Sequence, residues 1–342
     1  MHQLAVLSAA HGHTRGYLKA IKEREDLAPA IIWDDMEERG QRFVEEYGGT
    51  YSNDLDAVLA RDDVEGFIIC SENTRHLPLL RAAIPVGKPI FCEKPIATTT
   101  DETSEALALM REYKTTVHMG YFQPFAAGLQ GVINYVNSGA LGQITHARFR
   151  NAHAAALEER FSTPDRIWFS NPELAGGGAF MDMGTHAVHM LRTLLGPVKE
   201  VFATINNVSG IYSDVDDNGL GLLRFENGCL GTVEASWVQR GGPKGLEIMG
   251  RDAVLYEDAE KGYLVAASRD EAVPVAVGEA KPTRVDRLIA AIEGTISAEE
   301  LEADLRCAVD AVAIMAACYE SNESGTWVSV QDLYGQRSSV GN

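Results

Sequence analysis

The sequence predicts an α/β protein in two parts, an N-terminal doubly wound parallel sheet followed by an α/β domain with a large, open, mainly antiparallel sheet. Three observations carry this. Over residues 1–120 short, wholly apolar strands alternate with amphipathic helices at the spacing of βαβ units. After Gly120 the strands alternate apolar and polar residues, and Gly, Asn and Asp turns such as Glu226-Asn227-Gly228 separate them. A chain of 342 residues is also long enough for two domains of ~100–200 residues each. The division expected is 1–120 for a domain of Rossmann type and 121–342 for the second α/β domain.

In the first half, Leu4–Ser8 reads as a strand and Thr14–Glu25 as a helix with Tyr17, Leu18 and Ile21 on one face. Ala30–Trp33 is the next strand, and Met36–Tyr47 a helix turning Phe43, Val44 and Tyr47 inward. Asp54–Arg61 is a short helix, Gly66–Cys70 a strand and His76–Ile84 a helix. Pro89–Cys92 is a buried strand, Thr100–Tyr113 a helix with Thr100 as its N-cap, and Thr116–Tyr121 a strand. Strands apolar on both faces belong to a parallel sheet covered by helices.

In the second half, Gln130–Ser138 is helical and Gln143–Arg150 a strand. Strands follow at Glu200–Asn207, Leu220–Glu226, Cys229–Trp237, Lys244–Met249, Ala253–Glu257 and Gly262–Ala267. Asp286–Glu293 and Ser297–Asn322 are helices, the latter opened by a Ser297-x-x-Glu300 capping box.

Composition excludes several functions. Net charge is −19, from 49 acidic against 30 basic residues, which opposes binding to nucleic acid or an anionic membrane surface. No stretch approaches the ~18 consecutive apolar residues of a membrane span, and Met1–Leu7 lacks the basic flank of a signal peptide. The five cysteines show no CxxC spacing, so neither a disulfide frame nor a zinc motif is read, and a cytoplasmic setting is expected.

Chemistry concentrates at three places. The strand Pro89–Cys92 delivers Glu93-Lys94-Pro95 to the carboxyl end of the parallel sheet, where ligands of such folds bind. Pro95 disfavours the α region for Lys94 and so aims it in an extended conformation. The first turn, Ser8-Ala9-Ala10-His11-Gly12-His13, lies where GxGxxG is expected, with Ser8 and Ala10 in place of the first two glycines and His13 in place of the third. Small residues still let a backbone approach a pyrophosphate, and the helix behind them offers unpaired N–H groups. A turn that binds nothing is the competing reading. Asp34 and Asp35 stand at the ribose-binding position about 20 residues on, without an immediate basic neighbour, which favours NAD over NADP.

The third place is Gly176-Gly177-Gly178-Ala179-Phe180-Met181-Asp182-Met183-Gly184-Thr185-His186. Asp182 and His186, four apart, share a helix face, and a histidine beside a carboxylate suits proton removal from an alcohol. Two other readings stay open: a metal face made by Asp182, His186 and His189, and a core histidine bonded to a carbonyl.

Glu93-Lys94-Pro95 after a strand, together with the Gly176–His186 segment, resembles the glucose–fructose oxidoreductase/inositol dehydrogenase/MocA (Gfo/Idh/MocA) family across residues 3–320. Asn73, His76 and Trp168 fit the same pattern. The resemblance implies that Lys94 contacts the substrate hydroxyl and the cofactor ribose, and that His186 is the general base. It implies that Asp182 orients the substrate or His186, and that Glu93 lies near the nicotinamide. Ser8, Ala10, His11, Gly12, His13, Asp34, Asp35, Ser71, Asn73 and His76 would complete the cofactor site. Gln123, His153, Arg166 and Trp168 would join Lys94, Asp182 and His186 around the substrate. The family uses NAD or NADP, needs no metal and forms dimers or tetramers through the open face of the second sheet. Gln123-Pro124-Phe125 departs from the Asn-x-Arg-Phe type of segment found in many members.

The expectation is an NAD-dependent dehydrogenase oxidising a secondary hydroxyl of a sugar, polyol or inositol. A sugar acid stays open through Arg166. An NAD-dependent glycoside hydrolase on the same scaffold, or a non-catalytic cofactor-binding relative, are the alternatives.

Overall fold

The computed structural model describes residues 1–240, 245–267 and 271–335. The first sheet contains β1 (Leu4–Leu7), β2 (Ile31–Trp33), β3 (Thr50–Ser52), β4 (Gly66–Ile69), β5 (Ile90–Cys92) and β6 (Val117–Met119). All pairings are parallel, in the order β3-β2-β1-β4-β5-β6. Its helices are α1 (Thr14–Lys22), α2 (Glu37–Tyr47), α3 (Leu55–Leu59), α4 (His76–Ala83) and α5 (Thr100–Tyr113). All four residues of β1 and β4 are buried, as burial on both faces requires. Each such aliphatic or aromatic side chain stabilises the fold by ~1.5–3 kcal/mol. The strand order reverses between β1 and β4, which places a ligand crevice at the carboxyl ends of those two strands.

Two local expectations are corrected. The cap of α5 is Thr99, whose extended backbone lets its hydroxyl accept from the Glu102 amide (3.2 Å); Thr100 already lies inside the helix. The edge strand β3 escaped sequence reading because Thr-Tyr-Ser is three residues long and only partly buried. Gly49 before it has φ +101, and a Cβ there would stand 2.0 Å from the Ala30 carbonyl oxygen.

The second domain opens with α6 (Ala127–Asn137) and β7 (Ile144–Ala152), then α7 (Pro172–Ala175), a π-helical turn Phe180–Gly184 and α8 (Thr185–Leu195). Strands β8 (Val198–Asn206), β9 (Asn218–Phe225), β10 (Leu230–Ser236), β11 (Gly245–Gly250), β12 (Val254–Asp258), β13 (Gly262–Ala266) and β14 (Val273–Pro274) follow. The last described elements are α9 (Val285–Ile292), α10 (Ala298–Ser324) and β15 (Val328–Ser329). Lys244, expected to begin β11, lies outside the described residues. The sheet order is β14-β13-β12-β11-β7-β10-β9-β8-β15, antiparallel except where β10 runs parallel to β7. That pair is parallel because the chain leaves β7, crosses through α8, and comes back along β8, β9 and β10.

Burial along β9 alternates strictly, so one face of the sheet is core and the other carries exposed Leu220 and Leu222. The covering layer includes α8 and α10. Ser297 caps α10 by accepting from the Glu300 amide (3.1 Å), but the Glu300 carboxylate accepts from Arg287 (3.2 Å) instead of completing the expected box. The chain also returns to the first sheet: Val285, Leu288 and Ile289 of α9 pack with Tyr17, Ile21 and Phe91.

Candidate active site

Lys94 is carried out of β5 and is almost wholly buried, at 3% exposure. The Lys94–Pro95 peptide bond is cis. His76 donates from Nδ1 to the Pro95 carbonyl (2.6 Å), fixing the loop just beyond the lysine. Lys94 Nζ donates to Asp182 Oδ1 (2.8 Å) and to the Asp182 carbonyl (3.1 Å), so a residue of the first domain grips one of the second. Asp182 Oδ2 accepts from Trp237 Nε1 (3.1 Å). One oxygen thus accepts from Lys94 and the other from Trp237; of the expected roles, orienting the substrate or His186, no hydrogen bond joins Asp182 to His186 among the described residues, and its carboxylate stays in the cavity wall. Burial pushes the Asp182 carboxyl up, but the Lys94 ammonium overrides it and holds the group well below the usual carboxylate range.

Asp182 and His186 do not sit on one regular helix, as their spacing suggested. Asp182 lies in the π-helical turn and His186 in the first turn of α8. Such turns recur at functional sites because they re-aim side chains. The His186 ring lies edge-on to Tyr121 (centroids 5.8 Å) and Phe122 (6.0 Å), and its buried Nδ1 has no hydrogen-bond partner among the described residues. Burial, reinforced by Lys94, lowers its pKa well below the ordinary value, so the ring is neutral and free to accept a proton. His189 does not join a metal face: it stacks on Tyr121 (centroids 4.0 Å), and burial lowers its pKa to about 3.

The first turn is built without most of its glycines. Ser8 adopts φ +69, the left-handed conformation that glycine would supply there. Asp34 is fully buried; its Oδ2 accepts from the Ala9 amide (2.7 Å) and Arg39 Nε (2.9 Å), and its Oδ1 from the Met36 amide (2.8 Å). Asp34 thus braces the turn instead of reaching a ribose, a correction to the sequence expectation. Asp35 keeps the accessible carboxylate, paired with Arg75 (2.6 Å) and Arg39 (3.1 Å). Burial opposes its ionisation, and Arg75 overcomes this to lower the pKa.

At the other end of the turn, His13 Nδ1 donates to Glu93 Oε1 (2.9 Å), Tyr17 donates its hydroxyl to the same oxygen, and the Lys94 amide donates to Oε2 (3.1 Å). The donor atoms of His11, His13 and Glu93 lie within 4.8 Å of one another, a spacing compatible with a metal ion. Hydrogen bonds already link the cluster: Glu93 accepts from three donors, and His11 Nδ1 accepts from the His13 amide (3.2 Å). Burial lowers the His11 pKa to about 3, so that ring is neutral.

Two cavities flank Gly12. One, of about 340 Å³, is lined by Lys94, Gln123, His153, Arg166, Asp182 and His186, with His11 and His13 at one end. The other, of about 270 Å³, is lined by Ala9, Ala10, Gly12, Arg15 and Arg166. A left-handed Ser8, a bare Gly12 at the start of α1, Asp35 beyond β2 and a cleft running on to Lys94 fit a dinucleotide.

Four residues expected at the site have protein partners. Asn73 donates to the Ala175 carbonyl (2.9 Å), and Ser71 to the Glu72 carbonyl (3.1 Å). Trp168 donates from Nε1 to the Ala10 carbonyl (3.1 Å) and stacks on Phe169, docking the second domain on the first turn and not lining the cavity beside Lys94. His76 likewise serves Pro95. Sequence reasoning missed Trp237, Asn151, Phe122 and Arg160, which line the cavity or hold its walls. The signal for Trp237 and Asn151 was their place at the ends of β10 and β7, beside the parallel pair.

A family model for an oxidoreductase family with an NAD-binding Rossmann fold matches residues 10–121, and one for the GFO/IDH/MocA C-terminal domain matches residues 130–256. The chain belongs to the Gfo/Idh/MocA family. Its first domain is the family's NAD-binding Rossmann domain. Among Gfo/Idh/MocA relatives, an uncharacterized oxidoreductase, YrbE, of Bacillus subtilis is 30% identical over 190 residues, 54% of this chain and 52% of that protein. Levoglucosan dehydrogenase of Pseudarthrobacter phenanthrenivorans is 29% identical over 54% of this chain and 52% of its own length. The matched stretch thus spans about half of these two relatives. Myo-inositol 2-dehydrogenase of Thermotoga maritima is 24% identical over 70% of each chain. The solved structure of levoglucosan dehydrogenase with NADH and levoglucosan superposes with a TM-score of 0.80 at 21% identity, covering 97% of this chain and 100% of that one. At that identity the likeness shows the fold.

Proposed function

We propose that the protein is an NAD-dependent dehydrogenase oxidising a secondary hydroxyl of a sugar, polyol or inositol. The observation that carries the reading is Lys94 Nζ held 2.8 Å from Asp182 Oδ1 in the wall of the same cavity as the neutral His186. The relatives named for levoglucosan and myo-inositol support the substrate class.

The ammonium of Lys94 donates to the substrate oxygen, which lowers the alcohol's pKa and later polarises the carbonyl. Neutral His186 accepts the hydroxyl proton, a role worth ~10²–10⁴ in rate. NAD, when bound, supplies the hydride acceptor for the carbinol carbon. Asp182 holds Lys94 aimed. Gln123, Asn151 and His153 offer hydrogen bonds to further hydroxyls, and Arg166, over Gly12, faces both cavities.

Incubation with NAD and a panel of sugars, inositols and sugar acids should raise absorbance at the reduced nicotinamide band for at least one of them. No turnover together with no NAD binding by calorimetry would sink the reading.

A further inference from the structure

The triple glycine ahead of Asp182 meets protein, not ligand. A Cβ on Gly178 would stand 2.0 Å from the Asp216 carbonyl oxygen, and one on Gly177 would stand 2.6 Å from the Tyr319 hydroxyl. The Asp216 carboxylate accepts from the amides of Gly178 (2.9 Å, Oδ2) and Phe180 (2.7 Å, Oδ1), and its carbonyl accepts from the Ala179 amide (2.8 Å). Tyr319 of α10 donates its hydroxyl to Asp216 Oδ2 (2.8 Å) and accepts from the Met181 amide (3.1 Å). Four successive amides, 178 to 181, are thus held by two side chains and one carbonyl, and the next residue is Asp182.

The neighbouring residue holds Asp182 from the other side. The Asp217 carbonyl accepts from the Trp237 amide (2.9 Å), and the Trp237 indole donates to Asp182 Oδ2 (3.1 Å). The start of β9 therefore fixes Asp182 twice, through its backbone and through its second oxygen. Neither Asp216 nor Tyr319 is among the residues lining the cavity.

We propose that Asp216, with Tyr319, is a positioning residue that sets where the Asp182 carboxylate stands against Lys94. This rests on the catalytic reading of Lys94, Asp182 and His186. The carboxylate suits the place because all its donors are N–H or O–H groups. In Asp216→Asn one acceptor becomes an NH₂ facing a donor, which frees the turn to shift, and a misplacement of ~1 Å at a reacting centre costs up to ~10²-fold in rate.

Asp216→Asn and Tyr319→Phe, made in the full chain, test this with two readouts. The first is the indole ¹H–¹⁵N resonance of Trp237, identified by its loss in Trp237→Phe. It should shift or broaden in both variants, while those of Trp33, Trp168 and Trp327 stay in place. The second is steady-state kinetics. For Asp216→Asn, kcat should fall by about 10- to 100-fold with KM for NAD unchanged. Added to Asp182→Asn, the same change should cause no further loss, because it acts through Asp182. An unmoved Trp237 resonance would overturn the proposal. So would a multiplied loss in the double variant, or a fall in kcat matched by the loss of folded protein. Should the wild type oxidise no carbohydrate, the functional reading fails, and the resonance still decides whether Asp216 places Asp182.

Discussion

Lys94, at the end of β5, and Asp182, in the π-helical turn before α8, form a 2.8 Å ion pair across the two domains. Lys94 is 3% exposed, so neither charge is freely solvated. Removing one partner of such a pair costs about 3–5 kcal/mol, because the other charge stays buried. Lys94→Met should therefore lower both the melting temperature and kcat, the latter by about 10²–10³-fold, while NAD binding by calorimetry persists. The double variant Lys94→Met/Asp182→Asn should regain much of the lost stability and none of the activity. Undiminished turnover in Lys94→Met would remove the lysine from the mechanism.

On the proposed mechanism His186 should set the acid limb of the pH profile. A base works only when deprotonated, so kcat/KM falls as pH drops through its pKa. Burial and Lys94 place that pKa well below the ordinary 6.5. The acid limb should accordingly lie below pH 6.5, and His186→Asn should remove it along with about 10²–10⁴ of the rate. A limb at or above pH 6.5 would point to a different base.

Cofactor choice should turn on Asp35. In the native protein it pairs with Arg75 and Arg39 just beyond β2. Asp35→Ser would release both guanidinium groups toward a 2′-phosphate, each new charge-assisted bond being worth about 1.5–3 kcal/mol. The ratio of kcat/KM for NADP over NAD should rise about tenfold or more. Asp34→Ser should act differently, damaging the first turn and weakening both cofactors alike. Initial rates with each nucleotide separate the two cases.

Buried neutral histidines should make the fold acid-sensitive. Burial lowers the pKa of His11, His118 and His189 to about 3 each, against ~6.5 in the unfolded chain. Between these values the unfolded state binds protons that the folded state refuses, so stability falls as pH drops below about 6.5, by up to ~1.4 kcal/mol per unit per histidine. His118 stacks on Phe91 (centroids 5.0 Å, 11° between planes) away from the cavity. His118→Phe keeps the stack, and should flatten the loss in denaturation midpoint between pH 6.5 and 4. An unchanged slope would show that His118 contributes nothing to it.

The open face of the second sheet presents Leu220, Leu222 and Leu230, each about 40% exposed or more, with Trp327 near its edge. A dimer or tetramer formed through this face would bury them. Leu222→Asp should then shift the protein to a smaller species in sedimentation and leave the melting curve of the monomer little changed, since the leucine already faces outward.

The sequence by itself determined the periodicities and the local chemistry. Short apolar runs alternating with amphipathic helices indicated a doubly covered parallel sheet. Alternation in β9 and β10 admits only a sheet with one core face. Pro95 and the spacing of Asp182 and His186 marked Lys94, Asp182 and His186 as candidates. What sequence left open was which atoms meet across long separations in the chain, because hydrogen-bond partners follow from packing and not from spacing. Asp34 and Asp35 are adjacent and chemically alike, yet only burial under the first turn made one a brace and left the other partly exposed, paired with Arg75 and Arg39. Trp168 fitted a substrate role until docking turned its indole to Ala10. Trp237 and Asp216 gave little signal, since each acts on Asp182 from more than 30 residues away. Most changed is the Lys94 segment itself: its direction was legible in β5 and Pro95, but its charge is held in place by a carboxylate from the other domain, and only the tertiary structure supplies that.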